Sequence, residues 1–537
     1  MRLNLKQQIP ALAAQTLLTL GFRPQSLLRL KRWAEGSLIG SFRALKKQTP
    51  ATSARPQRII FFTVLGSHSF MIGSELALAR ALRARGHEVH VVICDGILPA
   101  CENHSVGLPE KDWQDRCQKC AGRGQALTSA AGIQTHTLSQ LEKSARDAEA
   151  DAILAKQNFS YIIESALYKY FRVGRLQGTA SEREQTIKVD EACKITARAA
   201  IACARLRPDR VIMSHGVYSS WAPALMVFQS LGIPTLVYNK GKKKNSVVMN
   251  WVKGLMDWDV SAEWEKVKDQ PLTSIESQAI HNYLEGRITH KGDALKYNFG
   301  ELEGRKQTLQ RFNLDETKPI MVLFTNVLWD AASAQKEIAF PNAVDWVMQT
   351  IQWFADHPEK QLVVKIHPAE VVIGTNQPFV KEIERVFPQL PPNVRVIAPE
   401  EKVNSWSITQ ITSLGLVHTS TPGMELPLSG IPCLVASGVH YRGKGFTVDI
   451  ESREQYFQIL NDFPRINFDA EKAKTLALRY AYLLFERYHL DWSFMIEGDY
   501  GRYVAVNARS DEELNQNATI QLLCEKIEKV EPPLRAH

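Results

Sequence analysis

The feature that most restricts this chain is a short stretch in which the hydrophobic period changes twice. Ile59–Val64 is continuously apolar, as a strand buried on both faces must be, and it is followed by the turn Gly66-Ser67-His68. Leu76, Leu78, Ala79 and Leu82 then recur at helical spacing within Glu75–Arg85, Gly86 stops the helix, and Glu88–Cys94 reads as a second strand. Strand, turn, helix, glycine and strand form a βαβ unit, which requires a parallel sheet with right-handed crossovers. Helical segments at about 137–173 and 182–206, a strand at Arg210–Ser214, a helix ending near Gly232 and a strand at Thr235–Tyr238 extend it.

The pattern restarts near Lys318. Strands are expected at Pro319–Thr325, Leu362–Ile366, Val394–Ile397, Leu414–His418 and Ile431–Ala436, with helices at Val344–Ala355, Val380–Val386 and from Pro422 to Gly430. The fold class is therefore α/β, with two Rossmann-like doubly wound domains facing a cleft. The boundaries fall at 58–305 and 306–490, after a basic extension and linker at 1–57 and before a partly helical tail at 491–537. Ligands of such sheets bind beyond the carboxyl ends of the strands, so the turns there hold the chemistry.

Charge separates the extension from the body. Residues 1–58 hold eleven Lys and Arg against Glu35 alone, more than the net +8 of all 537 residues, so the remainder is slightly acidic. A nucleic-acid binder would carry its positive charge on the folded domain, and this chain does not. Leu27, Leu30, Ala34, Leu38, Phe42 and Leu45 share one side of a helix, with Arg29, Arg32, Arg43 and Lys47 roughly opposite. Such a helix either lies on an anionic membrane surface, through residues 1–50, or packs on the body with a solvated basic face. The best apolar run, Ile9–Phe22, is interrupted by Gln15, Thr16 and Thr19 and falls short of the roughly 18 residues that span a bilayer. No small-residue cleavage site follows it, and eight cysteines are too few for a disulfide scaffold, so a reducing cytoplasm is expected.

Several turns carry candidate chemistry. In His418-Thr419-Ser420-Thr421-Pro422-Gly423-Met424-Glu425 a strand ends in hydroxyls where a helix begins, a setting for a phosphate, with Glu425 available to ribose hydroxyls. Lys365 and His367 end another strand, and an imidazole there can donate to a leaving phosphate. Thr325 and Asn326 could hold a base or sugar, and Arg442 and Lys444 lie on a glycine-rich loop suited to a charged ligand. In the first half His68, Asp95 and His215 each follow a strand, and one of them is expected to act as general base toward an acceptor hydroxyl. Cys94, Cys101, Cys117 and Cys120 read either as a structural zinc site or as ordinary thiols. Lys240-Gly241-Lys242-Lys243-Lys244 is a basic loop that meets a phosphate or is simply solvated.

Taken together, Gly66-Ser67-His68, Lys365-Ile366-His367-Pro368, Thr419-Ser420-Thr421-x-Gly423-x-Glu425 and Tyr441-Arg442-Gly443-x-Gly445-Phe446-Thr447 resemble the bacterial capsule and surface polysaccharide biosynthesis proteins. These are glycosyltransferases of GT-B type, and the resemblance spans about 58–455. It implies a nucleotide-sugar held mainly by the C-terminal domain, with His367 and the Ser420–Glu425 turn on phosphates and ribose. The acceptor, a glycan or lipid-linked precursor, and the base belong to the N-terminal domain. It also implies catalysis without a metal or other cofactor, so that any zinc is structural. The expected protein is a cytoplasmic glycosyltransferase, peripheral on the inner membrane face. The rivals are a nucleotide-sugar epimerase on the same scaffold and a non-catalytic polysaccharide assembly protein.

Overall fold

The computed structural model describes residues 37–53, 55–251, 258–288, 300–330, 336–498 and 502–535. Among them stand two sheets that are mainly or wholly parallel. The first contains β1 (Arg58–Val64), β2 (Glu88–Ile93), β3 (Gln134–Thr137), β4 (Arg210–Ser214), β5 (Thr235–Lys240) and β6 (Ser246–Trp251), in the order β6-β5-β4-β1-β2-β3. Only β6 runs antiparallel among these, because a short turn rather than a helix joins it to β5. The second contains β7 (Ile320–Phe324), β8 (Gln361–Lys365), β9 (Val394–Ile397), β10 (Leu414–Val417), β11 (Cys433–Val435) and β12 (Val448–Asp449), in the order β12-β11-β10-β7-β8-β9. All its pairings are parallel, and the order is that of a Rossmann-like sheet.

The continuous apolar runs behave as expected of strands covered on both faces. Every residue of β7 and β8 is buried, as are residues 59–64 of β1. The long helical stretch expected over 137–173 is divided: Leu138–Ser144, Ala148–Leu154 and Ser160–Phe171 are separate helices. Local capping makes the breaks, with Thr137 and Gln140 forming a capping box and Asp147 accepting from the Ala150 amide. The polar helix Glu110–Ala131 and the strands β3 and β6 have no counterpart in the sequence reading.

The chain then returns to the first sheet. After the helix Ala470–Tyr482 and a π-helical turn to Tyr488, β13 (Leu490–Asp491) pairs antiparallel with β6. A hairpin of β14 (Met495–Glu497) and β15 (Tyr503–Val506) follows, then the helices Asp511–Asn515 and Ala518–Lys529. Residues 37–44 form a helix beside this tail, in which Ser37 Oγ donates to the Val504 carbonyl at 2.6 Å. Arg80 joins the segments, with Nη2 2.6 Å from Asp511 Oδ1 and 3.1 Å from the Leu45 carbonyl. Leu38, Phe42 and Leu45 are buried in the core of this first unit. Their face is therefore not presented to a membrane, and the packed reading holds for residues 37–45. Residues 1–36, which carry the rest of the expected amphipathic helix, lie outside the described residues.

Candidate functional site

In each sheet the strand order reverses between two neighbours whose carboxyl ends leave a crevice, and the candidate residues converge on both crevices. In the first sheet these neighbours are β1 and β4. Both end in left-handed backbone, Val64 at φ 61° and His215 at φ 55°. A β-branched residue in that region is strained, and such strain collects at functional turns. Past β1, His68 begins the helix Ser69–Ala84 and its Nε2 lies 2.9 Å from Asn103 Oδ1. Asn103 Nδ2 in turn donates to Ser67 Oγ at 3.0 Å. Past β4, His215 Nδ1 lies 2.5 Å from Ser214 Oγ, and its ring stacks on Trp221. Burial lowers both imidazoles, His215 to about 4, and His68 and Lys169 act on His215 electrostatically.

Asp95 is occupied elsewhere. Its carboxylate accepts from the Ser139 amide at 3.2 Å and from the Ser139 hydroxyl, holding the start of Leu138–Ser144. The sequence made it one of three candidate bases; the structure makes it a helix anchor and leaves His68 and His215.

In the second sheet β7 and β10 flank the crevice, and Asn326 spans it. Asn326 Nδ2 donates to Thr419 Oγ1 at 2.6 Å, while Oδ1 accepts from the Thr419 amide and Ser420 Oγ, each at 3.2 Å. Thr325 Oγ1 accepts from the His367 amide at 3.0 Å. The Ala369 amide donates to His367 Nδ1 at 3.1 Å, so the neutral ring carries its hydrogen on Nε2. Burial, then Lys365 and Lys242, lower His367 to about 4. At neutral pH it is therefore an uncharged ring with an N–H at Nε2, not the near-neutral-pKa acid expected from sequence. Lys365 itself is buried and lowered to about 8, principally by desolvation.

Other expectations at this edge need correction. The helix Pro422–Leu428 starts with its amides engaged: Gly423 donates to the Ser420 carbonyl at 3.2 Å, and Met424 and Glu425 donate to the Thr421 carbonyl at 2.9 and 3.2 Å. Ser420 Oγ turns inward, onto the Thr325 carbonyl at 2.9 Å. Thr421 precedes the helix half-buried, with no side-chain cap hydrogen bond. Glu425 Oε1 pairs with Arg287 Nη2 at 3.0 Å instead of standing open to a ribose. Arg442 is tied to the Ile450 carbonyl at 2.6 Å and to Glu451, and Lys444 Nζ donates to Ser261 Oγ at 2.6 Å. Arg442 thus braces the loop itself, and Lys444 ties it to the start of the helix Ser261–Val267.

The cysteines come near enough to act on one another electrostatically but are not arranged as a metal site. Among the described residues no group of three or more His, Cys, Asp or Glu is placed to hold a metal ion. Cys94 and Cys120 are buried sulfurs that accept from the Gly96 and Ser67 amides, each at 3.3 Å. Burial raises the Cys94 thiol to about 11 and raises Cys101 and Cys117 as well, so these three are neutral thiols. The zinc reading of their spacing is set aside.

Lys169 links the two crevices and was missed by the sequence reading, since it sits unremarked in an amphipathic helix. Its Nζ lies 4.1 Å from the centroid of the Trp329 ring beyond β7, and it acts electrostatically on His68 and His215. The end of the same helix is bonded to the loop after His367: Asn376 Nδ2 donates to the Phe171 carbonyl at 2.8 Å, and the Gly174 amide to Gln377 Oε1 at 2.9 Å. Lys242, from the basic loop, lies over the Trp258 ring and acts electrostatically on His367. Its neighbours Lys240 and Lys243 are paired with Glu497 and Glu486.

No protein-family model matches the chain, and no curated protein sequence matches it. Solved structures similar to it include KpsC of Thermosulfurimonas dismutans, a beta-Kdo 2,4 transferase, at 17% identity over 50% of this chain and 79% of that one, TM-score 0.33. The UDP-GlcNAc 2-epimerase from Neisseria meningitidis bound to UDP-GlcNAc shares 13% over 79% of this chain and 96% of that one, TM-score 0.26. The glycosyltransferase SnogD from Streptomyces nogalater shares 12% over 80% and 95%, TM-score 0.22.

Proposed function

We propose that the protein is a GT-B type glycosyltransferase that moves a sugar from a nucleotide-sugar to a surface polysaccharide or its lipid-linked precursor, on the cytoplasmic face of the inner membrane. The observation that carries this reading is that cations from both units, Lys365 of the second and Lys242 of the first, act on one imidazole, His367, beyond β8. A phosphate arriving there meets an N–H donor in a positive potential, which favours departure of a nucleotide without requiring a metal ion. The hydroxyls of Thr419 and Thr421 and the Asn326 bridge shape the floor of the same crevice, where the base or ribose would rest. Across from it His68 or His215 takes the proton of an acceptor hydroxyl as the new bond forms. Membrane contact, expected of residues 1–50, stays part of this reading only for residues 1–36, which lie outside the described residues.

A thermal-shift series with UDP-, GDP- and CMP-sugars tests the donor site, since a ligand of the native state raises its stability by mass action. One of these is expected to raise the melting temperature of the wild type but not of His367→Ala or Lys242→Ala. Equal shifts in all three would remove the donor assignment. Incubation with donor alone separates the rival chemistry, because an epimerised donor appearing without acceptor would make the protein an epimerase.

A further inference from the structure

The turn after His367 holds three large apolar side chains out of the protein. It contains one short helix, Ala369–Val372, of which Ala369 and Glu370 are buried. Val371 is 52% exposed, Val372 55% and Ile373 39%, and no other three consecutive large apolar residues among the described ones stand out in this way. Single exposed aliphatics are ordinary, whereas a contiguous set marks a surface that something covers.

The turn is also held so that it cannot fold them inward. Trp329 Nε1 donates to the Gly374 carbonyl at 3.0 Å, and Gly374 takes left-handed backbone at φ 77°. The Arg172 carbonyl accepts from the Asn376 amide at 2.9 Å and from Thr375 Oγ1 at 3.0 Å. Ala369 packs with Val327 and Trp329 on the inner side. Both units thus grip the turn, and the entropy of ordering it is lost on folding, before anything docks.

Positive charge stands beside this apolar tip. Arg172 closes the helix Ser160–Phe171 in left-handed backbone, φ 54°, where glycine is usual. Its Nη1 donates to the Ile373 carbonyl at 3.2 Å, which sets the guanidinium against the tip, and among the described residues no carboxylate pairs with it. Arg175, with its side chain 44% exposed, reaches Asp345 and Glu382 only at 4.0 Å.

We infer that Val371, Val372 and Ile373 enter the hydrocarbon edge of an anionic bilayer, with Arg172 on the headgroup phosphates. Aliphatic side chains next to an unpaired guanidinium complement such a surface in both apolar area and charge. A protein partner would instead need roughly 1,200 Å² of shared surface with aromatic anchors, which three aliphatic residues on one turn do not supply. The tip begins four residues past His367, so docking there brings the edge beyond β8 to the lipid. The inference rests on the transferase reading for its purpose, access of a lipid-linked acceptor to the crevice, but not for the contact itself. It is also independent of residues 1–36.

Full-length protein carrying Val372→Trp reads the tip locally. The emission of the added indole, taken as the difference from wild type, is recorded with vesicles of phosphatidylcholine alone and of phosphatidylcholine with phosphatidylglycerol. On the anionic vesicles it is expected to shift to the blue and to be quenched by lipids brominated on their acyl chains. Unshifted emission from protein that sediments with the vesicles overturns the inference, because attachment then lies elsewhere, as in residues 1–36. Absence of sedimentation with the anionic vesicles overturns it too. So does a blue shift that grows with protein concentration and needs no vesicles, since another protein chain then covers the tip. Val371→Asp combined with Val372→Asp is expected to weaken sedimentation with anionic vesicles about tenfold. Arg172→Gln should weaken it about fivefold on anionic vesicles and leave neutral ones unchanged. Unchanged binding in the double variant, or an Arg172→Gln loss equal on both kinds of vesicle, overturns the inference. Urea midpoints close to wild type show that these surface variants fold. If no sugar nucleotide stabilises the wild type, the transferase reading falls while the vesicle measurements still decide the contact.

Discussion

Tyr441 donates its hydroxyl to the Ser420 carbonyl at 2.6 Å through the space where position 423 has no side chain. A Cβ on Gly423 would lie 2.2 Å from that oxygen and 2.5 Å from the ring carbon bearing it. The glycine is thus required by an aromatic side chain from a loop 18 residues further on. Because Tyr441 is fully buried, Gly423→Ala is expected to cost about 1–3 kcal/mol by overpacking. Urea unfolding measures it, and Gly423→Ala combined with Tyr441→Phe should recover part of the loss.

Asn326 bonds the β7 turn to the β10 turn through both ends of its amide. Asn326→Asp keeps the acceptor, loses the donor and places a negative charge where a nucleotide would lie. Donor affinity is expected to fall at least tenfold, more than in Asn326→Ala, because repulsion adds to the lost bond. Calorimetric titration with the sugar nucleotide found by thermal shift compares the two.

Burial lowers His215, His367 and His418 to about 4 and His489 to about 3. In the unfolded chain each takes up a proton near pH 6.5, where the native state still refuses it. Stability contributed by these rings is therefore complete above about pH 6.5 and falls as pH drops toward 4, each ring contributing of order 1–3 kcal/mol. Glu75 acts in the opposite sense: raised to about 8, it removes stability as pH rises from about 4.5 to 8. Urea midpoints from pH 4 to 8 should fall toward acid, and less steeply in His418→Leu, since both ring nitrogens of His418 are buried without a hydrogen-bond partner. Glu75→Gln should lose stability relative to wild type as pH falls from 8 to 4.5.

The ion pair between Arg287 and Glu425 is nearly enclosed, with side-chain exposures of 13% and 12%. Arg287→Met leaves the carboxylate without its cation and is expected to cost about 2–3 kcal/mol. The double variant Arg287→Met, Glu425→Gln should recover much of it. A double-mutant cycle in urea gives the coupling.

The parallel cores were readable because a strand covered on both faces is almost wholly apolar, so Ile59–Val64 and the run beginning at Pro319 declared themselves. Placing candidates at strand ends likewise followed from the periodicity alone, and it put His68, His215 and Asn326 at the two reversals of strand order and His367 at the neighbouring end of β8. What each group bonds to was hidden. Asp95 reads like His215, yet Ser139 claims it, and that partner lies 44 residues away with no mark in either segment. The hydroxyls and first-turn amides near Ser420 suggested a phosphate cradle, but the amides of residues 423–425 are engaged by the local turn and the Ser420 hydroxyl by the Thr325 carbonyl. Lys169 and Glu75 are single charges within apolar helical faces, a pattern shared with snorkelling surface residues. Cysteine spacing counts positions along the chain, not the directions of the thiols.

The β13 strand, the β14–β15 hairpin and the two helices after it all belong to the unit built around β1. During synthesis this unit emerges first but is finished last, since its covering arrives only after the second sheet has left the ribosome. The first-made sheet must wait with one flank of Ser69–Ala84 uncovered while the later one closes by itself. A premature stop shortly after Tyr488 would therefore do its damage far from the break, at the earliest-translated end.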